Sequence, residues 1–116
     1  MTNASFSPPS VTSLRVSADK KHLTICFKDG FETSLSAELL RVESPSAEVQ
    51  GHGIDQKQII YGKKDVQISA IEPVGHYAVR LKFDDGHDTG IYSWALFYDY
   101  GQRAEEMMAA YRQATS

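Results

Sequence analysis

The chain has 116 residues, 12 Lys plus Arg against 15 Asp plus Glu, and a formal net charge of −3. A length near one domain's worth excludes a two-domain enzyme, and the mild acidity disfavours nucleic acid, whose binding draws on counterion release by basic side chains. Apolar residues at 41% and charged residues at 23% describe a chain that folds as an ordinary globular domain.

Residues 1–10, MTNASFSPPS, carry no positive charge and no apolar run, so they read as a flexible tail and not as a secretion or transit signal. No apolar run approaches the roughly 20 residues of a membrane span. With Cys26 as the single cysteine, no intrachain disulfide can form, and a cytoplasmic location is expected. From Leu14 the apolar residues recur at period two. Leu14 and Val16, then Leu23, Ile25 and Phe27, predict two half-buried strands joined at Ala18–Lys21. Asp29-Gly30 predicts a two-residue hairpin turn into a third strand, Phe31–Leu35. Ser36, ahead of Ala37, Glu38, Leu39 and Leu40, is an N-cap with an acid in the first helical turn, so a short helix follows. It should end near Val42, because Pro45 makes Ser44 extended. From there to about Asp65, Gly51, Gly53 and Gly62 break any periodicity, and connections of that length in compact domains tend to be functional or mobile.

Val66, Ile68 and Ala70 alternate with Gln67, Ser69 and Ile71 in a strand ending at Glu72-Pro73. Tyr77, Val79, Leu81 and Phe83 form the cleanest alternation in the chain. Asp84-Asp85-Gly86 turns the chain, and His87–Tyr92 returns as the last strand. Ser93 caps a helix through Trp94, Leu96, Phe97 and Tyr100, which Gly101 should stop as its C′ residue. A separate amphipathic helix over 103–116 sets Ala104, Met107, Met108 and Tyr111 on one face. The expected fold class is α+β: a small single domain over 11–102 of antiparallel β meanders, with one short helix after the third strand and C-terminal helices. Its predicted core is Leu14, Leu23, Ile25, Phe27, Leu35, Leu40, Ile68, Tyr77, Val79, Leu81, Phe83 and Trp94.

Four histidines, His22, His52, His76 and His87, are the obvious ligand candidates, yet none has an acid two residues on, and neither a Cys-x-x-Cys pair nor His-Glu-x-x-His occurs. Gly62-Lys63 lacks the preceding glycine of a phosphate-binding loop. Asp84, Asp85, His87 and Asp88 read either as a divalent-cation site or as a solvated hairpin turn. Cys26 reads either as a reactive thiol or as a small strand residue. Ser44 and Ser46 flank Pro45 as a turn, or serve as nucleophiles without an identifiable base. Tyr92, Trp94, Phe97, Tyr98 and Tyr100 are denser than one helix face can bury, which leaves one or two rings for a partner.

The segments FKDGFETSLSAELLRVESPSAEVQG (27–51) and VQISAIEPVGHYAVRLKFDDGHDTGIYSW (66–94), with the aromatic helix after them, resemble the γ-butyrobetaine-hydroxylase-like N-terminal domain. That family, long filed as a domain of unknown function, occurs alone in bacteria, before the catalytic domain of carnitine-synthesis hydroxylases, and attached to some Mrp-type iron–sulfur carrier ATPases. The resemblance spans residues 10–102. In the hydroxylases the domain holds a structural zinc through three cysteines after the Leu-Arg pair and a histidine in the Asp-Gly-His turn. The histidine corresponds to His87, but the cysteine positions fall on Ser44, Ser46 and about Val49. The resemblance therefore implies a lost zinc site, with His87 hydrogen-bonded to the 44–46 segment instead.

With no oxygenase domain in the sequence, hydroxylase activity is not implied. The resemblance points to a non-catalytic protein-interaction or accessory module without a cofactor, whose partner would be an oxygenase or an Mrp-type iron–sulfur carrier. The alternative is a metal-binding or iron–sulfur-assembly accessory protein that takes zinc or iron through His87 with Asp85 and Asp88. Neither nucleic acid nor membrane is expected, and the chain should be a monomer or weak homodimer. The partner-binding candidates are Arg41, Asp84, Asp85, His87, Tyr92 and Trp94, with His87 able to take up a proton near neutral pH. The competing reading pairs Arg41 with Asp84 or Asp85 for local stability.

Overall fold

A computed structural model describes residues 9–51 and 57–115, so nearly all of the tail read over 1–10 lies outside the described residues. Strands β1 (Val11–Val16), β2 (His22–Phe27) and β3 (Glu32–Ser36) form an antiparallel sheet in that order. Helices α1 (Ala37–Val42) and α2 (Ala47–Gln50) follow. A second antiparallel sheet contains β4 (Ile68–Val74), β5 (Ala78–Phe83) and β6 (Gly90–Ser93), and α3 (Trp94–Thr115) closes the chain. The fold is α+β, as the strand and helix patterns indicate. One core joins the sheets: Leu23, Ile25, Phe27 and Leu35 from the first, Ile68, Val79, Leu81 and Phe83 from the second, with Leu40 of α1 and Phe97 of α3. Full burial of such side chains contributes about 1.5–3 kcal/mol each.

Several expectations need correction. Tyr77 is not core; it is 68% exposed, because β5 begins one residue later and Tyr77 sits in the turn. Leu14 and Trp94 are half-buried at the core's edge. A bulge between Ile68 and Ala70 turns Ala70 outward and Ile71 toward the core, so the alternation expected through Ala70 fails there. Pro73 does not end β4, which pairs only with β5 and so tolerates a proline without an N–H. β6 starts at Gly90, not His87. The segment expected to be irregular contains α2, capped by Ser46, whose hydroxyl accepts from the Glu48 amide.

The two sheets are variations on one design. Phe27-Lys28-Asp29-Gly30 and Phe83-Asp84-Asp85-Gly86 make the same turn. The N–H of Gly30 donates to the Phe27 carbonyl and that of Gly86 to the Phe83 carbonyl, with φ near +95° and +93° at the glycines. Phe27 and Phe83 then donate to the carbonyls of Phe31 and His87. These are three-residue loops with one glycine in the left-handed region, where a two-residue turn at Asp29-Gly30 was expected. Each first strand carries a bulge, at Val11/Ser13 and at Ile68/Ala70. Ser36 and Ser93 cap the following helices through Leu39 and Leu96 at 3.0 and 3.1 Å. The helix-opening amides of Ala37 and Trp94 donate to the carbonyls of Lys21 and Tyr77, which precede β2 and β5. The chain is thus two βββα halves.

The helices are exchanged between the halves. Arg41 of α1 reaches Asp85 in the second turn, while Tyr98 of α3 reaches Asp29 in the first, both at 2.8 Å. This exchange explains why two C-terminal helices were expected and one is found. Gly101 lies inside α3, where glycine costs roughly 1 kcal/mol relative to alanine. A Cβ there would come within 2.7 Å of Thr33 Cγ2 and 3.0 Å of Phe31, so the glycine lets the helix press onto the first half. The face predicted for the separate helix holds within the continuous one: Met107 is buried, and Ala104 and Met108 pack on the core.

Candidate functional site

The exchanged packing brings the corner after α1 against the turn that ends at His87. Ser44 and His87 are buried at 0% and 7% exposure, and Ser44 Oγ lies 2.9 Å from His87 Nε2. On the other side of the ring, Nδ1 is 3.1 Å from Glu48 Oε1. A carboxylate only accepts, so Nδ1 carries the proton and Nε2 accepts from the Ser44 hydroxyl. Ser44 Oγ in turn accepts from the Ser46 amide at 3.3 Å. Ser46 Oγ meets Thr89 Oγ1 at 2.7 Å, and Thr89 donates to Glu48 at 3.1 Å. Gln50 donates to the Ser44 carbonyl.

Beside this network, Asp85 accepts from the His87 amide at 3.0 Å, from Arg41 Nε at 2.8 Å and from Lys63 Nζ at 2.7 Å. Burial opposes ionisation of Asp85, but the bonds from Lys63, the His87 amide and Arg41 outweigh it and hold the carboxyl far below its usual range. Arg41 Nη1 is the one buried side-chain nitrogen or oxygen among the described residues that lacks a partner. Burial, followed by the Arg41 charge, pushes the His87 imidazole below its ordinary value against the opposing pull of Glu48 and Asp85. Protonation of the ring is therefore harder than for a free imidazole, contrary to the expectation of an easily protonated His87.

Of the six partner-binding candidates, the structure joins Arg41, Asp85 and His87, and it realises the Arg41–Asp85 pair that was the competing reading. Tyr92 is fully buried, its hydroxyl donating to the Leu40 carbonyl, and burial raises its phenol above the ordinary value. Trp94 is half-buried, with its indole N–H on the His76 carbonyl. Asp84 and Asp88 remain exposed. His52 lies outside the described residues, and His22, His76 and Cys26 are not part of the cluster; the Cys26 thiol donates to Glu32. Glu48, Lys63 and Thr89 were missed. The only signal for Glu48 was its position two residues after the cap Ser46, inside a segment read as irregular.

Ser44, His87 and Glu48 are the three groups of a hydrolytic triad, but their setting is wrong for one. The Ser44 hydroxyl has no exposed surface, and a Cβ on Gly90 would stand 2.6 Å from it, whereas an attacking hydroxyl has to meet a substrate carbonyl. A metal fits no better. Among the described residues no three His, Cys, Asp or Glu side chains are grouped to hold an ion. Ser44, Ser46 and Val49 offer two hydroxyls and a hydrocarbon where zinc takes thiolates. No helix of the described residues is long and apolar enough to cross a membrane.

Fold and site together define a duplicated βββα domain whose exchanged halves are locked by a closed hydroxyl–imidazole–carboxylate network. Residues 14–98 match the family described as gamma-butyrobetaine hydroxylase-like, N-terminal, and the chain belongs to that family. A protein solved in solution by NMR is 48% identical, with all of this chain and 89% of that one covered at a TM-score of 0.76. A second NMR structure is 38% identical over 93% of this chain and 85% of its own, with a TM-score of 0.79. The crystal structure of a protein of unknown function in the DUF971 family, from Acidithiobacillus ferrooxidans, is 36% identical over 78% and 93%, with a TM-score of 0.65. No curated protein matches the chain.

Proposed function

We infer that the chain is a non-catalytic accessory module that meets a protein partner beside the acidic turn Asp84–Asp88. The observation that carries this reading is the closure of Ser44: the Ser44–His87–Glu48 set is covered beside Gly90 and satisfied internally. What the turn leaves to solvent is carboxylate, from Asp84 and Asp88, with Glu48 61% exposed beside them. Arg41, Asp85, His87 and Tyr92 then serve the surface from beneath, by fixing the turn, and Trp94 lies at the foot of β6.

The family resemblance suggests an oxygenase or an Mrp-type iron–sulfur carrier as the partner. An acidic contact speeds encounter and weakens with salt. Calorimetric titration of the purified chain against such a carrier should give binding that falls as salt rises and that Asp84→Lys with Asp88→Lys abolishes while circular dichroism stays unchanged. Salt-independent binding untouched by the double charge reversal would remove the acidic turn from the reading. Labelling of Ser44 by a fluorophosphonate would overturn the non-catalytic assignment. The alternative, a zinc or iron accessory site at His87, Asp85 and Asp88, has no observation in its favour: both His87 nitrogens and Asp85 are engaged by protein groups.

A further inference from the structure

We propose that Ser44, His87 and Glu48 form a metal-independent latch standing where the family resemblance implies a structural zinc, so that this chain closes its α1–α2 corner by hydrogen bonds alone. Three observations support it. First, the spacing is too short for an ion. Two ligands each about 2.0–2.1 Å from a tetrahedral zinc stand about 3.3 Å or more apart. Ser44 Oγ and His87 Nε2 are 2.9 Å apart in direct contact.

Second, every donor is already committed. The Ser44 hydroxyl donates to His87 and accepts from the Ser46 amide; the Ser46 hydroxyl caps α2 and meets Thr89; Nδ1 of His87 is held by Glu48. Zinc binding at Nε2 would have to break these bonds and would find neutral hydroxyls there in place of thiolates. Third, the molecule contains its own control. At the matching place in the first half, Phe31 occupies the position of His87 and lies within 3.0 Å of where a Cβ on Gly101 would stand. At that position, inside the continuous α3, Gly101 meets Thr33 and Phe31 through apolar contact in place of the Ser44–His87 hydrogen bond.

The test uses the full chain, purified without an affinity tag. Its thermal midpoint should be the same in EDTA and in excess zinc, and cobalt(II) should give no tetrahedral spectrum. The ¹⁵N shifts of His87 should report a neutral ring protonated at Nδ1 and should not move when zinc is added. His87→Ala should lower the midpoint equally with and without zinc. Ser44→Cys/Ser46→Cys/Val49→Cys should gain stoichiometric cobalt(II) binding with a tetrahedral thiolate spectrum. Adding His87→Ala to that variant should weaken binding by more than about tenfold, the range lost when even an outer partner of a ligand is removed.

Stoichiometric zinc uptake by the unmodified chain, with a rise in midpoint that His87→Ala abolishes, would overturn the proposal. So would a folded triple-cysteine variant that binds no cobalt, because the corner would then not be the place of a zinc site. If the triple variant does not fold, the zinc titration and the His87 shifts of the unmodified chain decide.

Discussion

The turns at Phe27–Phe31 and Phe83–His87 share a backbone and differ in what they bury. Both use Phe-x-Asp-Gly, both place the glycine in the left-handed region, and both receive a helix from the other half. After the glycine, the first half has Phe31, with ring centroids 4.9 Å from Tyr98 and 5.8 Å from Phe27. The second has His87, bonded to Ser44 and Glu48, with Arg41 and Lys63 gathered on Asp85. The two turns thus share the phenylalanine, the aspartate and the glycine. The polar network stands at only one of them, and an apolar contact of Phe31 and Thr33 with Gly101 takes its place at the other.

The largest expected effect tests the shared part. Phe27 and Phe83 are each 3% exposed, and Phe→Ala at either should cost about 3–5 kcal/mol in urea unfolding. A cost below about 1 kcal/mol at one of them would break the equivalence of the halves. His87→Ala should cost about 1–3 kcal/mol, because Ser44 loses a buried acceptor. Carrying the first-half pair into the second, as His87→Phe with Ser44→Gly, should recover part of that loss. A double variant weaker than His87→Ala would make the polar network a requirement of the fold after all.

The facing-helix contacts should rank by burial and charge. Arg41→Ala should cost about 1.5–3 kcal/mol, since the Arg41 and Asp85 side chains are only 12% and 17% exposed. Tyr98→Phe, which removes one exposed hydrogen bond to Asp29, should cost about 0.5–1 kcal/mol. Equal costs would mean that charge adds nothing at the second turn. The smallest effect is a pH slope. His87 has a lowered value in the fold, so its contribution is complete above the ordinary value of about 6.5 and declines as the pH falls below it, where the unfolded chain binds the extra proton. Urea midpoints at pH 7.5 and 5.5 should differ less for the His87→Phe/Ser44→Gly variant than for the unmodified chain.

The sequence displays those features whose causes are local. Period-two runs mark the strands, Ser36 and Ser93 mark the caps, and Asp-Gly marks the turns. Gly101 misleads because its local signature is that of a helix stop, while its reason is Thr33 and Phe31 on another element. Tyr92 misleads because a phenol reads as a surface group until its hydroxyl finds the Leu40 carbonyl 52 residues away. Helix α2 has four residues, too few for any periodicity. The repeat is visible in principle as two Phe-x-Asp-Gly strings. The pairing of Ser44 with His87, 43 residues apart, came only from family resemblance.

The exchange of helices also bears on how the protein is made. On the ribosome, β1, β2, β3 and α1 emerge well before the turn that Arg41 grips, and the first turn waits for Tyr98 and Gly101 of the last helix. Neither half can complete its packing while the other is unsynthesised, so the nascent chain must keep Leu23, Ile25 and Leu35 incompletely covered until α3 arrives. Ribosome-stalled chains ending before Trp94 should thus be degraded by protease throughout their exposed length, and resistance should appear in one step once α3 has cleared the exit tunnel.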